Sequence, residues 1–259
     1  MGVVNVTPDS FSDGGRFASE AAAVAHGLSL IEQGADILDI GGESTRPGAE
    51  PVGEAEELAR VVPVIAALRA RWDGPISIDT LKPAVARAAI DAGATIWNDV
   101  SALRSEGALR TTAELGCGVV LMHMQGEPRT MQADPRYDDV VEEVRAFLAE
   151  RADAAMAAGV ARERIWLDPG IGFGKRLEHN LALVRHLDRI ADLGLPVVLG
   201  VSRKRFVQAI DPAAEAATDR LGGSLAAALH GLALGAAVLR VHDVRETAQA
   251  VKVWRALQG

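Results

Sequence analysis

Eight times along this chain a short apolar run ends on or beside a hydrogen-bonding or charged residue and gives way to a helical pattern. The runs cover residues 2–6, 36–40, 76–79, 95–98, 119–122, 165–168, 197–200 and 237–241. Helices are expected over 19–33, 54–71, from Pro83 onward, 107–115, up to 158, 181–192, 219–234 and up to 257. Ser19 suits an N-cap, Gly34 the position after a helix, and Pro83 a first helical turn. Strands that alternate with helices at this spacing are parallel and joined by crossover helices. Eight such units in 259 residues suit a closed barrel, which takes roughly 250 residues as one domain. The expected class is α/β, a single-domain (β/α)8 TIM barrel over residues 1–259, with no linker-like stretch inside it.

Composition narrows the functional classes. No apolar run approaches the ~20 residues that span a bilayer. The first residues lack a basic region of the kind that opens a signal peptide, and Val6 stands where a myristoylation signal needs Ser or Thr. Net charge is −8, which argues against nucleic-acid or membrane partners and makes the cationic cluster Ser202-Arg203-Lys204-Arg205 informative. The single Cys117 excludes an internal disulfide and reads as a small buried apolar residue. A cytoplasmic location is expected.

In a parallel barrel, chemistry gathers where the strands end. Those ends carry Asn5, Asp39, Asp79, Asn98, Met122 with His123, Asp168, Ser202 to Lys204, and Arg240 with His242. A polar group placed at the last buried position costs roughly 2–7 kcal/mol unless it is paired. A ligand is a natural partner. Ionised Asp only accepts hydrogen bonds and Arg only donates, so the set fits a ligand that is rich in N–H donors and also anionic. Asp79 and Asp168 suit the N–H edge of a heterocycle; Arg240 and His242 suit a phosphate or diphosphate. For Arg240 a salt bridge to a neighbouring strand-end Asp competes with that reading and is compatible with it. For His242 a capping or surface role competes. No H-x-x-x-H pair or Cys cluster supports a zinc site. Mg2+ borne by ligand phosphates needs only one or two protein oxygens, which Asn5 and Asp9 can supply.

The glycine-rich stretch after Asp168, Pro169-Gly170-Ile171-Gly172-Phe173-Gly174-Lys175, is not a dinucleotide fingerprint, because Lys175 takes the third glycine position. It is not a Walker A loop either: Pro169 replaces the first Gly, and Arg176 the Ser or Thr after the Lys.

These segments, taken together, resemble a known family. Asn5-Val6-Thr7-Pro8-Asp9-Ser10-Phe11-Ser12-Asp13-Gly14-Gly15, Gly41-Gly42-Glu43-Ser44-Thr45-Arg46-Pro47-Gly48, Ser77-Ile78-Asp79-Thr80, Asn98-Asp99, Leu167-Asp168-Pro169-Gly170, Ser202-Arg203-Lys204 and Arg240-Val241-His242-Asp243 look like dihydropteroate synthase. The resemblance implies that 6-hydroxymethyl-7,8-dihydropterin diphosphate is joined to 4-aminobenzoate with release of diphosphate. It places the pterin on Asp79, Asn98, Asp168 and Lys204, with Arg240 stacked on the ring. It gives the diphosphate to Arg240, His242 and Asn5, with Asn5 also a ligand of Mg2+. It encloses the aminobenzoate by Phe11, Arg46, Pro47, Phe173, Lys204 and the backbone near Ser202, and makes Thr45, on a mobile second loop with Arg46, a further substrate-binding residue. Asn5, Arg46, Lys204, Arg240 and His242 carry the catalysis, and no general base is nominated. The two loops 7–15 and 41–48 are expected to be organised by pterin diphosphate first, so that 4-aminobenzoate binds second. Family members carry a segment ahead of the Met-Gly of the first strand, a departure that bears on stability more than on catalysis.

Two neighbouring readings are a pterin-dependent methyltransferase domain and a non-catalytic pterin-binding homologue. The first needs neither Arg46-Pro47 nor Ser202-Arg203-Lys204; the second does not need the intact cations. The Ala- and Leu-rich segment 225–234 is apolar almost all round, which raises the expectation of a homodimer through the late helices, with burial inside the monomer as the competing account.

Overall fold

The structure, a computed structural model, describes residues 1–6, 15–44, 50–127 and 130–259. Eight strands occur in it: β1 Gly2–Asn5, β2 Leu38–Gly41, β3 Ile76–Asp79, β4 Ile96–Asp99, β5 Gly118–Met122, β6 Ile165–Asp168, β7 Val197–Leu199 and β8 Ala236–Leu239. They lie in chain order and every neighbouring pair is parallel. The sheet then closes on itself. Gly2 bridges to Val241, Val3 N donates to Val241 O at 3.1 Å, and Val241 N donates to Met1 O at 2.9 Å. The expected (β/α)8 barrel is the observed one.

Ten α-helices are present among the described residues: α1 Gly15–Glu32, α2 Glu54–Arg69, α3 Pro83–Asp91, α4 Ala108–Leu115, α5 Val140–Ala157, α6 Leu177–Arg185, α7 Asp188–Ala191, α8 Arg205–Ile210, α9 Leu221–Ala233 and α10 Val244–Gln258. Three differ from the sequence reading. The first begins at Gly15, ahead of the expected cap Ser19. The helix expected over 181–192 is α6 and α7, divided where His186 leaves helical angles at φ −118°, ψ 37°. The short α8 falls on the basic cluster, where no helix was expected, and a 3-10 turn Ala217–Arg220 precedes α9. Pro83 does occupy the first turn of α3, and Gly34 follows α1 with φ +101°. No described helix is long and apolar enough to cross a membrane.

Side chains along a strand alternate between its two faces, and that alternation sorts the barrel into layers. Val4, Leu38, Ile40, Ile76, Ile78, Trp97, Val119, Leu121, Ile165, Leu167, Val197 and Leu199 belong to the large core shared with the helices. The alternate residues Met1, Ile37, Ile96, Val120 and Val198, with Trp166 and Val238 against them, form a separate apolar cluster that plugs the barrel. Two residues further along those same strands stand Asp39, Asn98, Met122, Asp168, Gly200 and Arg240. Each fully buried Leu or Ile contributes about 1.5–3 kcal/mol, so the two apolar clusters hold the barrel together. The polar layer above is left to function.

Trp97 links the two regions. It is fully buried on the helix side, and its Nε1 donates to Thr80 O, next to Asp79, at 2.9 Å. Trp97→Phe keeps an aromatic ring but leaves a small cavity and that carbonyl without its donor. The variant is expected to lose about 1–3 kcal/mol in urea unfolding, and an unchanged midpoint would contradict the packing.

Candidate active site

The polar layer is organised by one guanidinium. Arg240 follows β8 and reaches two other strands: its Nε donates to Asp39 Oδ2 at 2.6 Å and its Nη2 to Asp79 Oδ2 at 2.8 Å. Asn98 Nδ2 adds a longer bond to the same Asp39 oxygen, 3.3 Å. Burial works against the Arg240 charge, but Asp39 and Asp79 together more than offset it and hold the group protonated far above neutral pH. Burial raises the Asp79 carboxyl to about 7, with Arg240 opposing. The salt bridge expected as a competing reading for Arg240 is therefore real. It leaves Asp39 Oδ1, Asp79 Oδ1 and Ser77 Oγ buried with no hydrogen-bond partner among the described residues. Such acceptors are costly in a native interior and favour a ligand that donates N–H bonds.

The register sets Asn5, Gly41, Asp79 and Asn98 side by side across four strands. Gly41 keeps that row open. A methyl group there would lie 3.8 Å from Asp79 Oδ2 and 4.0 Å from Asn5 Oδ1. Gly200 does the same on the opposite side: a methyl group would lie 3.9 Å from Lys204 Nζ and 4.0 Å from Asp168 Oδ2. Asp168 is fixed by its other oxygen, which accepts from Gly170 N at 2.7 Å. Burial raises the Asp168 carboxyl, with Lys204 opposing. Burial likewise lowers Lys204 to about 8, with Asp168 opposing. Lys204 Nζ donates to Ile171 O and lies 4.6 Å from the centre of the Phe173 ring.

Beside Lys204, Ser202 Oγ accepts from His242 N at 3.1 Å and lies 3.2 Å from His242 Nδ1. Arg203 takes left-handed angles, φ +59°. Both its Nε and Nη2 bond the Asp243 carboxylate, and its backbone N donates to Ser224 Oγ at 2.8 Å. The loops after β7 and β8 are thereby tied to one another.

Of the residues that the sequence reading names, Asp79, Asn98, Asp168, Lys204, Arg240, Asn5, Ser202, His242 and Phe173 lie on or beside this mouth. Phe11, Thr45, Arg46 and Pro47, with Asp9 and the ordered binding expected of their loops, lie outside the described residues. The reading counted Asp39 among the strand ends but gave it no role, although its spacing from Ile37 follows the same alternation that selects Asp79. It also passed over Gly41 and Gly200, whose missing side chains make the room. Cys117 is buried, and burial raises its thiol, as befits an inert residue.

Comparison with known proteins is consistent with this geometry. Residues 1–242 match the family described as pterin binding enzyme. A curated dihydropteroate synthase of Neisseria meningitidis serogroup B is 52% identical over 263 residues, covering 99% of this chain and 92% of its own. The chain belongs to the dihydropteroate synthase family. A solved dihydropteroate synthase of Xanthomonas albilineans with 4-aminobenzoic acid is 54% identical, with TM-score 0.94 over 100% of this chain and 92% of that one. A second structure from that organism, in complex with 7,8-dihydropteroate, is 50% identical with TM-score 0.90, over 100% of this chain and 93% of that one.

The turn Asp168-Pro169-Gly170 has a steric basis. Gly170 has φ +66°, and a methyl group on it would lie 1.9 Å from His123 O. Gly170→Ala is expected to lose at least about 1–3 kcal/mol, the usual cost of a residue held in a sparsely populated conformation. Thermal unfolding reads this, and a midpoint equal to the parent's would rule out the close approach.

Proposed function

We propose that this chain condenses 6-hydroxymethyl-7,8-dihydropterin diphosphate with 4-aminobenzoate, giving 7,8-dihydropteroate and diphosphate. One observation carries the assignment of roles: buried acceptors from β3, β4 and β6 face half-buried cations from the loops after β7 and β8 across a glycine-opened mouth. The aminopyrimidine edge of a pterin presents N–H groups to Asp79 Oδ1 and Asp168, with Asn98 completing the edge. Lys204 donates to the pterin carbonyl and ring nitrogen. Arg240 is held by Asp39 and Asp79 through the edge of its guanidinium, which leaves the planar face for stacking. Arg240, His242 and Asn5 receive the diphosphate.

In the reaction the bond from the pterin methylene carbon to the diphosphate oxygen breaks, and the amine nitrogen forms the new bond to that carbon. The amine then loses a proton. The arylamine is neutral and needs no strong base, so the chain's contribution is positioning and stabilisation of the departing charge. Phe173 and Lys204, with Phe11, Thr45, Arg46, Pro47 and the Ser202 backbone, make the aminobenzoate side. Mg2+ fits the donor set. Asn5 ends β1 half-exposed with a hard amide oxygen facing the mouth, and a phosphate-borne Mg2+ asks for little more. Held by Asn5 and the ligand phosphates, such an ion would supply positive charge against the leaving diphosphate. No dedicated cluster of His, Cys, Asp or Glu competes for it among the described residues. The buried thiol of Cys117 suits a cytoplasmic enzyme.

Diphosphate release that requires both 4-aminobenzoate and Mg2+ tests the activity. Asp168→Asn tests the site: it replaces a buried acceptor with a donor, a mismatch of about 1–3 kcal/mol. Calorimetry should show weakened pterin binding, and unchanged affinity in a folded variant would refute the role of Asp168.

The enzyme works as a homodimer in this proposal. On α9, Ala226 and Ala233 are exposed and Leu225, Leu229 and Leu232 half-buried, while Ile210 of α8 and Val253 and Leu257 of α10 are exposed large apolar side chains. Light scattering at micromolar concentration should return twice the chain mass of 27.2 kDa; a monomeric mass would end the proposal.

A further inference from the structure

Lys175 closes the glycine-rich loop after β6, and the roles assigned above make no use of it. It is 3% exposed. Its ammonium faces three acceptors: His123 Nδ1 at 2.9 Å, Phe173 O at 2.9 Å and His123 O at 3.3 Å. Burial pulls Lys175 well below the usual lysine range, with Asp168 opposing; as an ammonium it has three N–H donors, one for each acceptor. Two of those acceptors belong to His123, which follows β5. The third is the backbone of Phe173, whose ring lies beside the Lys204 ammonium.

The loops after β5 and β6 meet backbone to backbone here. Methyl groups on Gly170 and Gly174 would lie 1.9 Å from His123 O and 2.4 Å from Gln125 O. Such close packing fixes the distance between the loops but does not set the level of Phe173. Other cross-loop bonds, from Tyr137 Oη to Gly174 O and from Gln132 Nε2 to Gly172 O, are less buried. His123 itself is held by Phe147, 4.9 Å away edge-on. Burial, then Lys175 and Arg104, push His123 down to about 2, so the ring is neutral, with Nδ1 free to accept and the proton on Nε2.

We infer that Lys175 is a positioning residue for the aminobenzoate half of the reaction: it hooks the Phe173 backbone to His123 and so sets the level of the Phe173 ring in the mouth. The inference rests on the function proposed above. In Lys175→Met the hook is lost while the apolar stem remains.

The test uses the whole enzyme. KM for 4-aminobenzoate should rise roughly ten- to hundredfold, the scale of a misplaced contact, while pterin binding measured alone stays near the parent value. The rise should largely disappear in a Phe173→Ala background, because coupled residues are not additive. Nitrogen-15 spectra of the His123 ring give a readout independent of turnover. The parent should keep one tautomer across neutral pH, and the variant should show exchange between tautomers or titration. Should Lys175→Met fail to fold, Lys175→Gln, which is neutral and keeps two donors, takes its place with the same readouts. An unchanged His123 spectrum, or a loss that strikes both substrates equally, overturns the inference. A parent enzyme that makes no product refutes the proposed function instead, and the spectrum then decides the hook alone.

Discussion

The arrangement of the mouth depends on a buried charge triad. Arg240 carries one positive charge between two carboxylates, Asp39 and Asp79, from separate strands. A buried pair is rarely a net source of stability, because desolvation of the ions offsets their attraction. What it supplies is orientation. Arg240 takes one oxygen of each carboxylate and leaves the other oxygen of each without a partner among the described residues. A barrel built for stability alone would continue the apolar layer of Ile37, Ile96, Val120 and Val198 one step further. This chain stops that layer and accepts the cost.

The two sides of the mouth differ in how they are built. The acceptors Asp79, Asn98 and Asp168 stand on strand ends whose helix-facing neighbours are fully buried. Rigid strands place them with little freedom. Phe173, Lys204 and Ser202 stand on loops, and those loops are held by cross-connections: Arg203 to Asp243, His242 to Ser202, and Lys175 to His123. One side is fixed by the sheet and the other by side-chain ties between adjacent loops. Recognition of a flat heterocycle suits the first kind of construction. Enclosing a second reactant suits the second.

Much of this was legible in the residues. Asp168 before Pro169 marked the end of β6 because Pro cannot continue a ladder. Asp79 and Asn98 stood out as polar groups at the last buried position. Arg240 admitted both a salt bridge and a ligand role, and the structure contains the first. Asp39 stood among the strand ends but received no role, because nothing local separates a counter-ion from a ligand-binding acceptor; only Arg240, some 200 residues later, makes that distinction. Gly41 and Gly200 escaped because an absent side chain carries no pattern of its own. Lys175 was read only as the residue that spoiled a dinucleotide fingerprint, since its main partner, His123, lies on another loop. The break between α6 and α7 falls at His186, where no Gly or Pro announces it.

The triad also has a consequence for the order in which this molecule comes into being. Arg240 is separated from Asp39 by 201 positions and from Asp79 by 161. The barrel seam joins Met1 and Val3 to Val241, nearly the full span of the described chain. At the ~5–20 residues per second of protein synthesis, Asp39 therefore waits on the order of 10–40 s for its counter-ion to be made. Until then, two acidic side chains destined for the interior have no guanidinium to enter it with. The strands that bear them have reason to stay hydrated, and the final unit of the barrel brings both the last strand of the wall and the charge that allows the first ones to be buried.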